Sequence, residues 1–96
     1  MIFFTLSHIH VSKGRLIQGD DVDKTYFDQY RHLGLNIAYY RKFMGMSQSL
    51  LAEKVDISRT HMSRIETADC AVSLDIVFKI CDVLEISPKK LFDFRD

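Results

Sequence analysis

The sequence predicts an all-α domain: a bundle of five short helices behind an N-terminal arm that is strand-like or loose. Three observations carry that expectation. Apolar residues recur at spacings of three and four from about Thr25 onward, the signature of helices with one buried stripe. Four of the five segments so defined begin at a serine, a residue able to cap a helix start. The chain has 96 residues, 47% of them apolar and 27% charged, which suits one folded domain and not a disordered chain.

The arm comprises residues 1–25. Met1 to Val11 is rich in β-branched and aromatic side chains, Lys13-Gly14 is a turn signal, and Arg15 to Gln18 could be a second short strand. Gly19-Asp20-Asp21 then breaks the pattern. Two strands alone are marginal in water. A loose arm, an arm pairing with a second copy, and an arm packed on its own chain all remain open. His8 and His10 flank Ile9, too few ligands for a metal site, so a strand with one polar face is the expectation.

Residues 26–96 are the helical domain. Tyr30, Leu33, Ile37, Tyr40 and Met44 form the stripe of the first helix, which should stop near Gly45. Ser47 caps a second helix, Gln48 to Val55, with Leu51, Ala52 and Val55 inward. Asp56-Ile57 makes a turn. Ser58 caps a third helix running to about Glu66, with Met62 and Ile65 inward. Thr67 to Val72 is a loop. Ser73 caps a fourth helix striped by Leu74, Val77, Ile80, Cys81 and Leu84. Ser87-Pro88 starts a short fifth helix, proline being favoured at the first helical position. Leu91, Phe92 and Phe94 are its hydrophobic residues. Each capping serine can stabilise its helix by about 1 kcal/mol, which matters because helices under ~12 residues are marginal without packing.

Several function classes are disfavoured. Thirteen basic and thirteen acidic residues cancel, which argues mildly against sequence-blind nucleic-acid binding. From Arg41 to Arg64, however, five basic residues (Arg41, Lys42, Lys54, Arg59, Arg64) face two acidic ones (Glu53, Asp56). Cys70 and Cys81 lack metal or redox spacing and read as two reduced thiols. No apolar run approaches the ~18 residues of a membrane span. The N-terminus lacks the features of a secretory leader, so a cytoplasmic location is expected. No nucleophile–base set, metal cluster or phosphate loop is visible. Neither an enzyme nor a cofactor, metal or small-molecule ligand is expected.

The segment Met46 to Glu66, MSQSLLAEKVDISRTHMSRIE, carries the functional signal. It reads as two short helices joined by a tight turn. The second has Arg59, Thr60, His61, Ser63 and Arg64 on one side and Met62 and Ile65 on the other. A helix that packs on a protein and reads a DNA groove needs that division.

Residues 33–94 resemble the helix-turn-helix domain of the phage repressor and Cro-type (XRE) family. The signature is Gly45-Met46-Ser47-Gln48, Leu51-Ala52, Ile57-Ser58, Met62-Ser63-Arg64-Ile65-Glu66, Ser73-Leu74 and Leu84-Glu85-Ile86-Ser87-Pro88, in family order and spacing. The resemblance implies a five-helix repressor-like bundle whose third helix enters the major groove. It implies base contacts from Arg59, Thr60 and Arg64, with Ser58 and Ser63 at the margin, and phosphate contacts from Gln48 beside Ser47. Arg59 could pair with guanine in bidentate fashion. It also implies a partly buried structural ion pair between Arg41 and Glu66. The chain departs from the family after Glu66, where glycine and a basic residue are common; Thr67-Ala68-Asp69 stands there instead. Asp69 would repel phosphate, so weak non-specific affinity is expected.

The function implied is a sequence-specific DNA-binding transcriptional regulator, acting as a homodimer on a double-stranded operator. Candidate dimer surfaces are Leu91, Phe92 and Phe94, or the arm. The alternative is a protein-interaction adaptor, antirepressor or antitoxin on the same fold, which the neutral charge and acidic loop favour slightly.

Overall fold

The computed structural model describes residues 24–94. The expectations for the arm at 1–25 therefore lie almost wholly outside the described residues. Every regular element among the described residues is helical. A 3-10 turn, Lys24–Tyr26, leads into α1 (Phe27–Phe43), followed by α2 (Gln48–Lys54), α3 (Arg59–Glu66), α4 (Leu74–Leu84) and α5 (Pro88–Leu91). The five-helix architecture is the one expected.

One core joins all five helices. Leu33 and Ile37 of α1, Leu51 and Ala52 of α2, Met62 and Ile65 of α3, Val77, Ile80, Cys81 and Leu84 of α4, and Leu91 of α5 are buried together with Val55 and Cys70. Tyr40, Ile57, Ile86 and Phe94 pack against it from the rim. Both cysteines are free thiols in this core. Burial, and then the neighbouring Asp82 charge, pushes the Cys81 thiol above its usual pKa. Asn36 ties the ends of the domain together, its amide N–H donating to the Leu91 carbonyl at 2.8 Å.

Some apolar residues assigned inward by spacing lie outward. Met44 follows the last turn of α1 and is 40% exposed. Leu74 opens α4 and is 60% exposed. In both cases the stripe continues past the point where a neighbouring helix covers it. Val55 closes α2 as its C-cap and not as its last helical residue, yet it is buried. The serine caps of α2, α3 and α4 accept from backbone N–H groups three residues on. Ser87 makes no such bond.

Four helices stop in the same way. After α1, Met46 N–H donates to Arg41 O and Gly45 N–H to Lys42 O, with Gly45 at φ 73°. The pattern repeats with Asp56 (φ 64°) after α2, Ala68 (φ 63°) after α3 and Glu85 (φ 58°) after α4. These paired bonds satisfy the last carbonyls and reverse the chain within a few residues. Glycine takes this left-handed conformation without penalty, whereas a Cβ costs about 1–2 kcal/mol there. Three of the four positions carry that strain.

Two contacts lock α3 to α1. The first is steric. A Cβ on Gly34 would lie 2.6 Å from the carbonyl oxygens of Ile65 and Glu66, so only glycine lets α1 meet the end of α3 this closely. The second is ionic. Arg41 Nε and Nη2 donate to Glu66 Oε2 at 2.6 Å and Oε1 at 3.0 Å. Arg41 Nη1 donates to the Met46 carbonyl at 2.8 Å, and Gln48 Nε2 to Glu66 Oε1 at 2.9 Å. Both charges are buried. Among the described residues, no buried side-chain polar atom lacks a partner.

Four stability outcomes follow, each read by urea denaturation of the full chain. Gly34→Ala destabilises by at least about 2 kcal/mol, because backbone must move to admit the methyl group. Arg41→Ala and Glu66→Ala each cost about 3–5 kcal/mol by stranding a buried charge, and Arg41→Met combined with Glu66→Leu costs less than the sum of the single losses. Glu85→Gly raises stability by about 0.5–1 kcal/mol, because relief of the left-handed strain outweighs the added freedom of the unfolded chain. Ala68→Gly gains less, since the Ala68 methyl group is buried and its burial would be lost.

Candidate nucleic-acid interface

The α2–turn–α3 unit is short and rigid. Ser47 Oγ accepts from Leu50 N–H and Ser58 Oγ from His61 N–H, each at 3.0 Å. Between them, Asp56 turns the chain and Ile57 N–H donates back to Ala52 O at 2.9 Å. Ile57 rests on the core. Ala52 is 1% exposed and has no bulk to push the two helices apart. The local sequence dictates this geometry: caps at both starts, a tight reversal between, and apolar residues on the shared inner side.

α3 has two chemically distinct sides. Met62 (0% exposed), Ile65 (2%) and the Glu66 carboxylate face the protein. Ser58, Arg59 and Thr60 are exposed, and His61, Ser63 and Arg64 are half-buried. At 3.6 residues per turn, Thr60 and Arg64 fall on one line along the helix, opposite Met62. Arg59 stands at the first turn, and its side chain makes no hydrogen bond or ion pair among the described residues. The exposed cations Lys42 and Lys54 are held on the neighbouring α1 and α2.

The residues expected to contact DNA differ in how they are held. Arg59 and Thr60 project from the start of α3. Arg64 is anchored: its Nη2 donates to the Asp69 carbonyl at 3.1 Å, across the end of the helix. Ser58 and Ser47 cap their helices through the hydroxyl oxygen, which leaves each hydroxyl proton as a donor. Ser63 sits on the flank, its carbonyl within 3.1 Å of the Thr67 hydroxyl. Gln48 turns one amide N–H inward onto Glu66. It thus braces α3 from the start of α2, and its amide has a second N–H to offer outward.

Sequence reading missed several contributors to this geometry. Gly34 carries a readable signal, because a lone glycine inside a helical pattern often marks a close packing contact. Asn36 and the Met46 carbonyl carried none, since their partners lie on elements distant in sequence or in the backbone. In the Thr67–Asp69 loop the sequence shows the acidic charge and an alanine where positive φ is usual, which Ala68 adopts at φ 63°, but not the direct contact with Arg64. Among the described residues, no group of three or more His, Cys, Asp or Glu could hold a metal ion. No helix among them is long and apolar enough to cross a membrane.

Known proteins share this arrangement. The chain is 47% identical over 49 residues to the control protein C.BamHI of Bacillus amyloliquefaciens. That stretch is 51% of this chain and 60% of the relative's own length, so less than two thirds of the relative is matched. The crystal structure of the restriction-modification controller protein C.AhdI from Aeromonas hydrophila superposes with a TM-score of 0.66 at 27% identity, covering 69% of this chain and all of that one. The N-terminal DNA-binding domain of SinR from Bacillus subtilis superposes with a TM-score of 0.63 at 33% identity, covering 68% of this chain and 96% of that one. SinR has also been solved in complex with DNA. The helix-turn-helix family model matches residues 37–91, more than half of the chain. By that match and by the capped, braced α2–α3 pair, the chain belongs to the helix-turn-helix family of repressor and Cro-type (XRE) proteins.

Proposed function

We propose that the chain is a sequence-specific DNA-binding transcriptional regulator that reads the major groove with α3, from about Ser58 to Glu66, as a homodimer on a double-stranded operator. One observation carries this reading. α3 presents Thr60 and Arg64 opposite its buried Met62, with Arg59 exposed at the first turn, while the Arg41–Glu66–Gln48 network holds the helix at a set angle. In this reading Arg59, Thr60 and Arg64 contact base edges with Ser58 and Ser63 beside them, and Gln48 and Ser47 contact phosphate. The similarity to control proteins and to SinR supports it. The role is regulatory and not enzymatic, and the location is cytoplasmic.

One reading domain offers few base contacts, so two copies spanning half-sites about 34–36 Å apart supply the rest of the affinity. Of the terminal apolar residues expected at the dimer surface, Leu91 is excluded: it is 0% exposed, its side chain being needed to close the core. Phe92 remains available at 43% exposed. It borders an open groove of about 430 Å³ with Tyr26, Tyr30, Leu33, Leu74 and Val77. Phe94 packs on the core and meets the His32 ring edge-on, with centroids 5.5 Å apart. Beside the neutral charge and the acidic loop, a protein-binding role on the same bundle has one structural observation in its favour: Tyr39 and Phe43 of α1 are 62% and 75% exposed.

Selection of bound fragments from a pool of random duplexes recovers a two-fold symmetric motif if this reading holds. Replacing Arg59 and Arg64 together by alanine weakens binding to the selected motif by about 10- to 100-fold per contact, with the far-UV circular dichroism unchanged. Recovery of the same motif by that double variant refutes the assigned reading face. The affinity for the motif falls steeply as salt rises, because phosphate contacts release counterions. A partner bound through Tyr39 and Phe43 shows no such slope.

A further inference from the structure

The loop after α3 does more than connect two helices. Asp69 touches the preceding segment three times. Its N–H donates to the Arg64 carbonyl at 2.8 Å, its carbonyl accepts from Arg64 Nη2 at 3.1 Å, and its Oδ2 lies 2.9 Å from the Thr67 hydroxyl. Ala68 between them is buried and left-handed, so the loop has little freedom to drift. Arg64 is therefore held from both sides. Its backbone belongs to the last turn of α3, and its guanidinium is tied to the loop that leaves it. Arg59, at the other end of the same helix, has no such tether among the described residues.

We propose that Thr67 and Asp69 are positioning residues that set the pose of Arg64 on DNA, and that the Asp69 carboxylate lowers affinity for duplexes of the wrong sequence. The inference rests on the DNA-reading role of α3. A bidentate contact to a guanine edge requires the planar guanidinium in one orientation. A long, solvated arginine must lose its rotamer freedom on binding, and a tethered one has already lost part of it. The carboxylate acts in the opposite sense on the backbone. Asp69 is exposed beside the reading helix, where an anion near a phosphate is repelled whatever the base sequence. Attraction to backbone is the sequence-blind part of binding. Weakening it leaves discrimination to the base contacts of Arg59, Thr60 and Arg64. Tether and charge thus favour specificity over raw affinity, through the Asp69 carbonyl that holds Arg64, the Asp69 carboxylate, and the Thr67 hydroxyl that meets that carboxylate.

The two effects separate by substitution in the full chain. Thr67→Val removes the hydroxyl at constant shape. Asp69→Asn removes the charge and keeps both the backbone carbonyl and an oxygen that accepts from Thr67. Binding is measured to the motif selected by the wild type, to every single base-pair change in it, and to a scrambled duplex. Thr67→Val lowers discrimination about 3- to 10-fold at the base pairs where Arg64→Ala lowers it, and leaves the other positions alone; Thr67→Ser restores it. Asp69→Asn raises affinity for the scrambled duplex about 3- to 10-fold, so the ratio of specific to non-specific binding falls. A general loss of stability would weaken all positions equally and produces neither pattern. A wild type that discriminates while Thr67→Val and Asp69→Asn keep its profile overturns this inference and leaves the reading role of α3 standing. A wild type with no preference among duplexes removes that role and the inference with it.

Discussion

The buried pairing of Arg41 with Glu66 is the constraint on which the rest of the molecule depends. It is bidentate, and it joins the end of α1 to the end of α3. Two further bonds extend it, one to the carbonyl that closes α1 and one from the amide that opens α2. A single ionic cluster therefore touches three helices and the turn between the first two. Ionic clusters in small cores add little net stability, because desolvation offsets most of the attraction. Their geometry is nonetheless demanding, since four hydrogen bonds are all met in one relative placement of the helices. Apolar packing alone is non-directional, and would allow α3 to roll or slide on α1 by a fraction of a turn. Such a movement would change the direction in which Arg59 and Thr60 project from the bundle.

Gly34 makes the same point by steric means. The carbonyls of Ile65 and Glu66 fill the place of its missing side chain. The ion pair pulls α3 onto α1, and the glycine permits the approach. Together they seat the last turn of α3, the turn that also bears Arg64. Its start is set separately, by the reversal at Asp56 and the cap at Ser58. A helix of eight residues is too short to hold its own shape in water. Here it is gripped at both ends, and its outer side chains inherit that order.

The chain accepts strain to keep its turns tight. Left-handed backbone at Asp56, Ala68 and Glu85 lets α2, α3 and α4 end within a residue or two of their last carbonyl bonds. Long connections would have been less costly in backbone conformation, but they would have loosened the angle between α2 and α3. Charge follows a similar economy. Balanced totals conceal a few outward cations, Lys42 at the end of α1, Lys54 beside Glu53 on α2, and Arg59 and Arg64 on α3, with acid groups at Asp56 and Asp69 on the turns that flank α3. A surface of this kind attracts a polyanion over a small area only, which suits recognition by base contact more than by bulk charge.

Much of this was legible in the residue order. Apolar spacing located the longer helices, because a helix that must bury a stripe repeats every three to four residues, and Ser87-Pro88 located the short last one. Serines at 47, 58 and 73 marked the starts, because capping is a local bond to a backbone group three positions away. The placement of Thr60 and Arg64 opposite Met62 follows from the same period; Arg59, three residues before Met62, is exposed because it opens the helix. Local rules ended where partners lay far along the chain. Spacing placed Met44 and Leu74 inside, but no helix covers them. It put Leu91 among the candidates for an outer surface, and the core claims it entirely. The sequence by itself determined the number of helices, three of their capped starts and most of their inner residues, because those depend on neighbours within one turn. The tertiary structure alone decided how Gly34 admits α3, how Gln48 divides between brace and surface, and how Asp69 holds Arg64, because each depends on atoms that only packing or a chain reversal brings within bonding distance.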